Sequence, residues 1–158
     1  MFRLIILCSF FIFTQIATAQ AAGDFNIGSS GPIHIETQDV IILKDKNLLK
    51  GDVFVKRGEL EARSDELEVY LINNKDIEKL VFKDNVRLNK EDIRAISNKA
   101  EFFIAEDRVV LSGAVKVWHG KNYLEGEIIT INNKTGEAKV HSSENKRVKI
   151  IFNPEDGK

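Results

Sequence analysis

From Ile33 to Phe152, apolar and polar residues alternate with a period of two almost throughout. Leu67, Val69 and Leu71 share one parity, and Glu66, Glu68 and Tyr70 share the other. Ala100, Phe102 and Ile104 repeat the arrangement, as do Ile129 and Ile131 and the pairs Val53/Val55, Val86/Leu88 and Val115/Val117. Successive side chains of a strand point to opposite faces, so this pattern predicts half-buried strands. No window of helical length keeps an i, i+3, i+4 apolar stripe with caps. Turn sequences separate the runs: Lys56-Arg57-Gly58, Asn73-Asn74-Lys75, Asn89 to Asp92, His119 to Asn122, and Asn132 to Gly136. The chain is predicted to be all-β, as a sandwich, barrel or solenoid.

An internal repeat narrows the choice. Gly51-Asp52-Val53, Asp84-Asn85-Val86 and Gly113-Ala114-Val115 each open a strand, and a small residue (Ser64, Ser97, Gly126) follows 13 positions after each opening residue. Apolar pairs come next: Leu67/Val69, Ala100/Phe102 and Ile129/Ile131. Thr37, Val40 and Ile42 form an earlier partial copy. Units of about two hairpins that cannot bury their own apolar face imply stacking into one continuous, elongated core. The two prolines, Pro32 and Pro154, flank the first and last strands, where a missing N–H is tolerated.

Charge and composition change the picture at the N-terminus. Met1-Phe2-Arg3 is a short basic start, Leu4 to Phe13 is almost wholly apolar, and Ala17-Thr18-Ala19 has the small-x-small pattern of a signal-peptidase site. The apolar run falls short of the roughly 20 residues a membrane-spanning helix requires. Residues 1–19 therefore read as a cleaved secretory signal and 20–31 as a flexible mature N-terminus. Residues 32–154 read as one domain and 155–158 as a tail. Of 23 Lys+Arg and 24 Asp+Glu, only Arg3 lies in the signal, so the mature charge is 22 − 24 = −2. Such a balance excludes a strong nucleic-acid footprint. The single cysteine, Cys8, also lies in the signal, so the mature chain has neither disulfides nor a thiol nucleophile.

Chemistry-bearing constellations are missing from the pattern. His34, His119 and His141 have no partners at metal-ligand spacing. Carboxylates alternate with bases on outward positions (Glu59, Glu61, Arg63) as solvated strand faces do. There is no phosphate-cradling Gly-rich loop and no nucleophile elbow. Asn133-Lys134-Thr135 fits a glycosylation sequon but reads better as part of a hairpin turn. An enzyme is not expected, nor is a cofactor or metal. What remains is the apolar face, which either fills one dry core or stays partly accessible as a groove for an apolar ligand.

Pro32 to Glu36, the Gly-x-Val repeats, Val109 to Ala114 and the closing Lys146-Arg147-Val148…Pro154 resemble the LptA/OstA-like family of periplasmic lipopolysaccharide-transport proteins. That resemblance implies an open-ended β-jelly roll of stacked antiparallel strands that holds the lipid A part of lipopolysaccharide inside. It also implies head-to-tail assembly into a bridge between inner and outer membranes, with LptC-like and LptD-like partners at the two ends. Carried over by position, the groove residues fall on Ile33, Leu88, Phe102 and Ile104, and Ile35, Val117 and Ile131 join them on the inner parity. Leu88 stands where better-known members carry an aromatic. The assembly edges fall on Ile33, His34 and Ile35 at one end and on Val148, Ile150 and Phe152 at the other. An LptC-like tethered component and an exported β-filament without lipid are the competing expectations.

Overall fold

A computed structural model describes Phe25 and residues 31–154; the expected signal peptide, its Cys8 and the C-terminal tail lie outside the described residues. Ten antiparallel strands form one sheet: β1 (His34–Glu36), β2 (Asp39–Ile42), β3 (Lys46–Arg57), β4 (Leu60–Ile72), β5 (Asp76–Lys90), β6 (Ile93–Phe103), β7 (Arg108–His119), β8 (Asn122–Asn132), β9 (Glu137–His141) and β10 (Lys149–Ile151). Strands β3 to β8 follow one another as hairpins. β1 and β2 lie in line along the free edge of β3, and β9 and β10 along the free edge of β8. The turns occupy the expected places, with one more at residues 104–107. That turn ends β6 at Phe103, so Ile104 leaves the strand while still packing against the core.

The long strands, 12 to 15 residues in β3, β4, β5 and β7, are at least twice the usual length. They persist because each is broken near its middle. The register shifts between Lys50 and Val53, Arg63 and Glu66, Lys83 and Val86, Ile96 and Lys99, and Ser112 and Val115. On the odd strands the extra residue is absorbed by two consecutive left-handed positions. These are Gly51 (φ 85°) and Asp52 (43°), Asp84 (61°) and Asn85 (52°), and Gly113 (81°) and Ala114 (49°). Glycine, Asp and Asn tolerate that conformation best, and a bulge of this kind bends a sheet sharply.

The sequence repeat is therefore a repeat of corners. Val53, Val86 and Val115 pair with Ser64, Ser97 and Gly126 across the ladder. Ser64 Oγ donates to the Glu66 carbonyl (2.7 Å), Ser97 Oγ to the Lys99 carbonyl (3.0 Å) and Thr37 Oγ1 to the Lys50 carbonyl (2.9 Å). Those hydroxyls satisfy acceptors that the interrupted ladder would leave unpaired. At Gly126 a Cβ would lie 2.6 Å from Val140 Cγ1 and 3.2 Å from the His141 carbonyl oxygen. Even strands change parity here: β4 buries Leu60, Ala62 and Ser64 before the corner, then Leu67 and Val69 after it.

The line of corners divides the sheet into two halves. One carries β1 and β10 (residues 53–64, 86–97 and 115–126), and the other carries β2 and β9 (residues 46–50, 66–83, 99–112 and 128–132). Both bury the same face of the sheet in one continuous cluster. The sheet has folded over on its corner line, and hydrophobic burial closes the two inner faces together. Phe82 and Phe102 meet edge-to-face within it, with centroids 5.5 Å apart.

Candidate functional site

Of the residues expected to line a groove, Leu88, Phe102, Val117 and Ile131 are at most 2% exposed. The alternation had placed all four on the inner face, and there they lie. Ile33 and Ile104 are half-buried and pack on the rim of the same cluster, together with Leu71 and Ile77. Ile35 is different: it is 37% exposed on β1, because an edge strand has no neighbour to cover it. Phe25 is an addition the pattern could not supply. It sits upstream of the first strand in a small, polar stretch, yet it is fully buried in the cluster.

Two free edges flank this interior. Along one lie Ile35, Val40, Ile41, Ile42 and Leu43, all exposed, and along the other Ile150, Ile151 and Phe152. Both faces of β2 and of β10 are open. Val40, Ile42, Ile150 and Phe152 belong to the inner parity but are more than half exposed. His34 is exposed on β1, and Val148 is half-buried against the core beside β10. An edge strand presents unpaired N–H and C=O groups, and native proteins rarely leave one both long and apolar.

The outer surface is polar, and one group on it is tightly held. Glu68 Oε1 accepts from Lys83 Nζ (3.1 Å) and Lys46 Nζ (3.3 Å), and Glu68 Oε2 accepts from Tyr70 Oη (2.9 Å). Burial pushes this carboxyl upward, but the three donors outweigh it and hold the pKa at about 2. Glu68, expected on a solvated face, is instead 8% exposed beneath its lysines. Tyr123 is pushed up to about 12 by burial and by its hydrogen bond to Glu125 (2.8 Å). Among the described residues no group of His, Asp and Glu side chains could hold a metal ion. The three histidines stay apart, with His119 Nε2 3.5 Å from Asp92.

Fold and site together define an all-β protein of the open-ended roll type, with an apolar interior and two unlike free edges. A family model for LptA/(LptD N-terminal domain) LPS transport proteins matches residues 33–137, and the chain belongs to that family. Among solved structures it is similar to LptH of Pseudomonas aeruginosa, described as the LptA homologous periplasmic component of the conserved lipopolysaccharide transport device. The two agree with a TM-score of 0.69 at 17% identity, over 78% of this chain and 96% of that one. At that identity the likeness establishes the shared fold. No curated protein sequence matches significantly.

Proposed function

We propose that this chain, freed of residues 1–19, works in the periplasm as a carrier that shields the acyl chains of lipopolysaccharide between the two halves of its roll. It stacks head to tail through its free edges to bridge the inner and outer membranes. The observation that carries this reading is the pairing of one continuous apolar interior with two exposed apolar edges at opposite ends of the sheet.

The interior is filled by its own side chains, so a lipid must part the halves at the rim near Ile33, Leu71, Ile77 and Ile104. Each methylene removed from water contributes about 0.8 kcal/mol, roughly 9 kcal/mol gross for a twelve-carbon chain. Side-chain contacts displaced within the roll and the cost of association offset most of that. A carrier benefits from the balance, because cargo held too tightly would not pass to the next copy. The chain has no Walker motif, and the energy for directional movement comes from another component. LptC-like and LptD-like proteins would dock on the β1/β2 and β9/β10 edges. Pairing of unlike edges is heterologous and does not close, so it extends into a filament.

Purification from the envelope without detergent, followed by native mass spectrometry, tests the cargo. Bound lipopolysaccharide is the expected result. A bare chain that nonetheless forms filaments would favour the lipid-free structural reading, to which the filled interior lends some support.

A further inference from the structure

The outer face of the β1/β10 half carries a cluster of bases that the described residues neutralise only in part, with Asp52 near Arg63 and Glu125 opposite Lys116 across the β7–β8 ladder. Arg63 stands directly opposite Arg87 across the β4–β5 ladder, Arg87 opposite Ile96, and Ile96 opposite Lys116. Like charges directly opposed on a sheet are destabilising, and here no acid lies in the row between Arg63 and Lys116. Glu61, in the adjacent row, is engaged by Lys56 at 2.7 Å, and Asp52 reaches only Arg63, at 3.9 Å. Arg87 and Lys116 make no ion pair or hydrogen bond among the described residues, and Arg94 contacts only the face of Trp118, at 5.8 Å.

Two adjoining depressions, of about 260 and 320 Å³, share Arg87 and Ile96. Asn98 and Lys116 line one, and Asn89, Arg94 and Trp118 line the other. Arginine forks and a lysine suit phosphate oxygens, side-chain amides suit hydroxyl groups, and a half-exposed indole offers an apolar face with a polar handle. Such pocket sizes suit a small ligand, whereas a protein partner would favour a flatter apolar face.

We propose that this face binds the phosphorylated sugar headgroup of an anionic glycolipid. This deepens the carrier reading and rests on it for the identity of the cargo, because the acyl chains would occupy the interior while the headgroup rests outside on this half.

Trp118 is the single tryptophan of the chain, so its fluorescence reports occupancy of the face directly. The full mature protein is titrated with a bisphosphorylated glucosamine disaccharide lacking acyl chains, and in parallel with the unphosphorylated disaccharide and with inorganic phosphate. Saturable change in Trp118 emission with the first probe alone is expected. Arg87→Gln should weaken that binding about tenfold, as losing one charge-assisted contact does, and Glu66→Gln in the other half should leave it unchanged. Circular dichroism and Tm establish that both variants are folded.

Binding of inorganic phosphate as tight as that of the disaccharide would overturn the proposal in favour of a nonspecific anion site. So would equal affinities in Arg87→Gln and wild type, or loss of self-association instead of saccharide binding in Arg87→Gln. Acyl-chain binding is measured separately, by lipid recovery. Recovery without disaccharide binding would sink only this inference, and disaccharide binding without recovery would sink only the interior reading.

Discussion

The two halves of the sheet share an inner face and differ outside. In the β2/β9 half, bases and acids interlock across the strands: Lys50 with Glu66 (3.3 Å), Lys99 with Glu101 (3.0 Å), and Lys46 and Lys83 with Glu68. Arg108 and Lys79 add cation–π contacts to Phe103, at 3.9 and 5.6 Å. In the β1/β10 half Lys56 pairs with Glu61 (2.7 Å), but Arg87 and Lys116 make no ion pair among the described residues. One outer face is laced by several cross-strand ion pairs, and the other keeps two of its bases outside such pairs. The folding signal, carried by the inner faces, is common to both halves, and the two halves differ in how the charges of their outer faces are paired.

The largest effects should be the ones that do not distinguish the halves. Leu88→Ala in one half and Phe102→Ala in the other each empty a fully buried site, and each should cost about 3 kcal/mol or more in urea unfolding. A markedly smaller loss for Leu88→Ala would show that the β1/β10 half is not packed as a full partner. Next comes the corner line on which both depend. Gly113 has φ +81°, and a Cβ there would meet the Asn98 side chain at 2.8 Å. Gly113→Ala should cost about 2 kcal/mol. Gly51→Ala should cost less, because the group it meets is the flexible Gln38 side chain.

The outer faces should then separate the halves. Glu68→Gln should destabilise by about 1–2 kcal/mol at neutral pH. The pKa of Glu68 falls from 4.5 to about 2 on folding, so its contribution is fully present above about pH 4.5 and is lost as pH drops toward 2. Denaturation midpoints of wild type and Glu68→Gln should therefore converge as pH is lowered through that window. A gap that stays constant would show that the carboxylate is not held as described. The smallest effect belongs to the other half: Arg87→Gln should leave Tm unchanged or raise it slightly, since it removes a like-charge opposition. A clear loss of stability there would mean that Arg87 has a structural partner.

Much of this fold was legible in the sequence because period-two alternation and a small-residue repeat have direct physical causes. Val86 and Leu88, or Ile129 and Ile131, could be placed on the inner face from parity alone. The repeat was visible as Gly51-Asp52, Asp84-Asn85 and Gly113-Ala114, although its meaning was not, since only backbone angles reveal paired left-handed residues. Those corners invert parity in the even strands, and local runs on either side remained readable because each run was short. Leu80-Val81-Phe82 defeated the alternation: all three are buried, Leu80 and Phe82 in the core and Val81 on the outer face between Glu68 and Glu101. Both flanking carboxylates are paired with lysines, Glu68 with Lys83 and Glu101 with Lys99, and no sequence period encodes such an arrangement. Phe25 was illegible for a related reason, as a lone aromatic in a polar stretch has no neighbours to declare a face. The basic cluster required the cross-strand register, which brings together Arg63, Arg87 and Lys116 from three separate strands.

The central claim is that the interior is the place of the cargo. A photo-crosslinking amino acid at Phe102, with an outward control at Glu66, tests it in living cells. A lipopolysaccharide adduct at Phe102 and none at Glu66 is the predicted result. Folded, exported protein that yields no adduct at Phe102 would contradict the account.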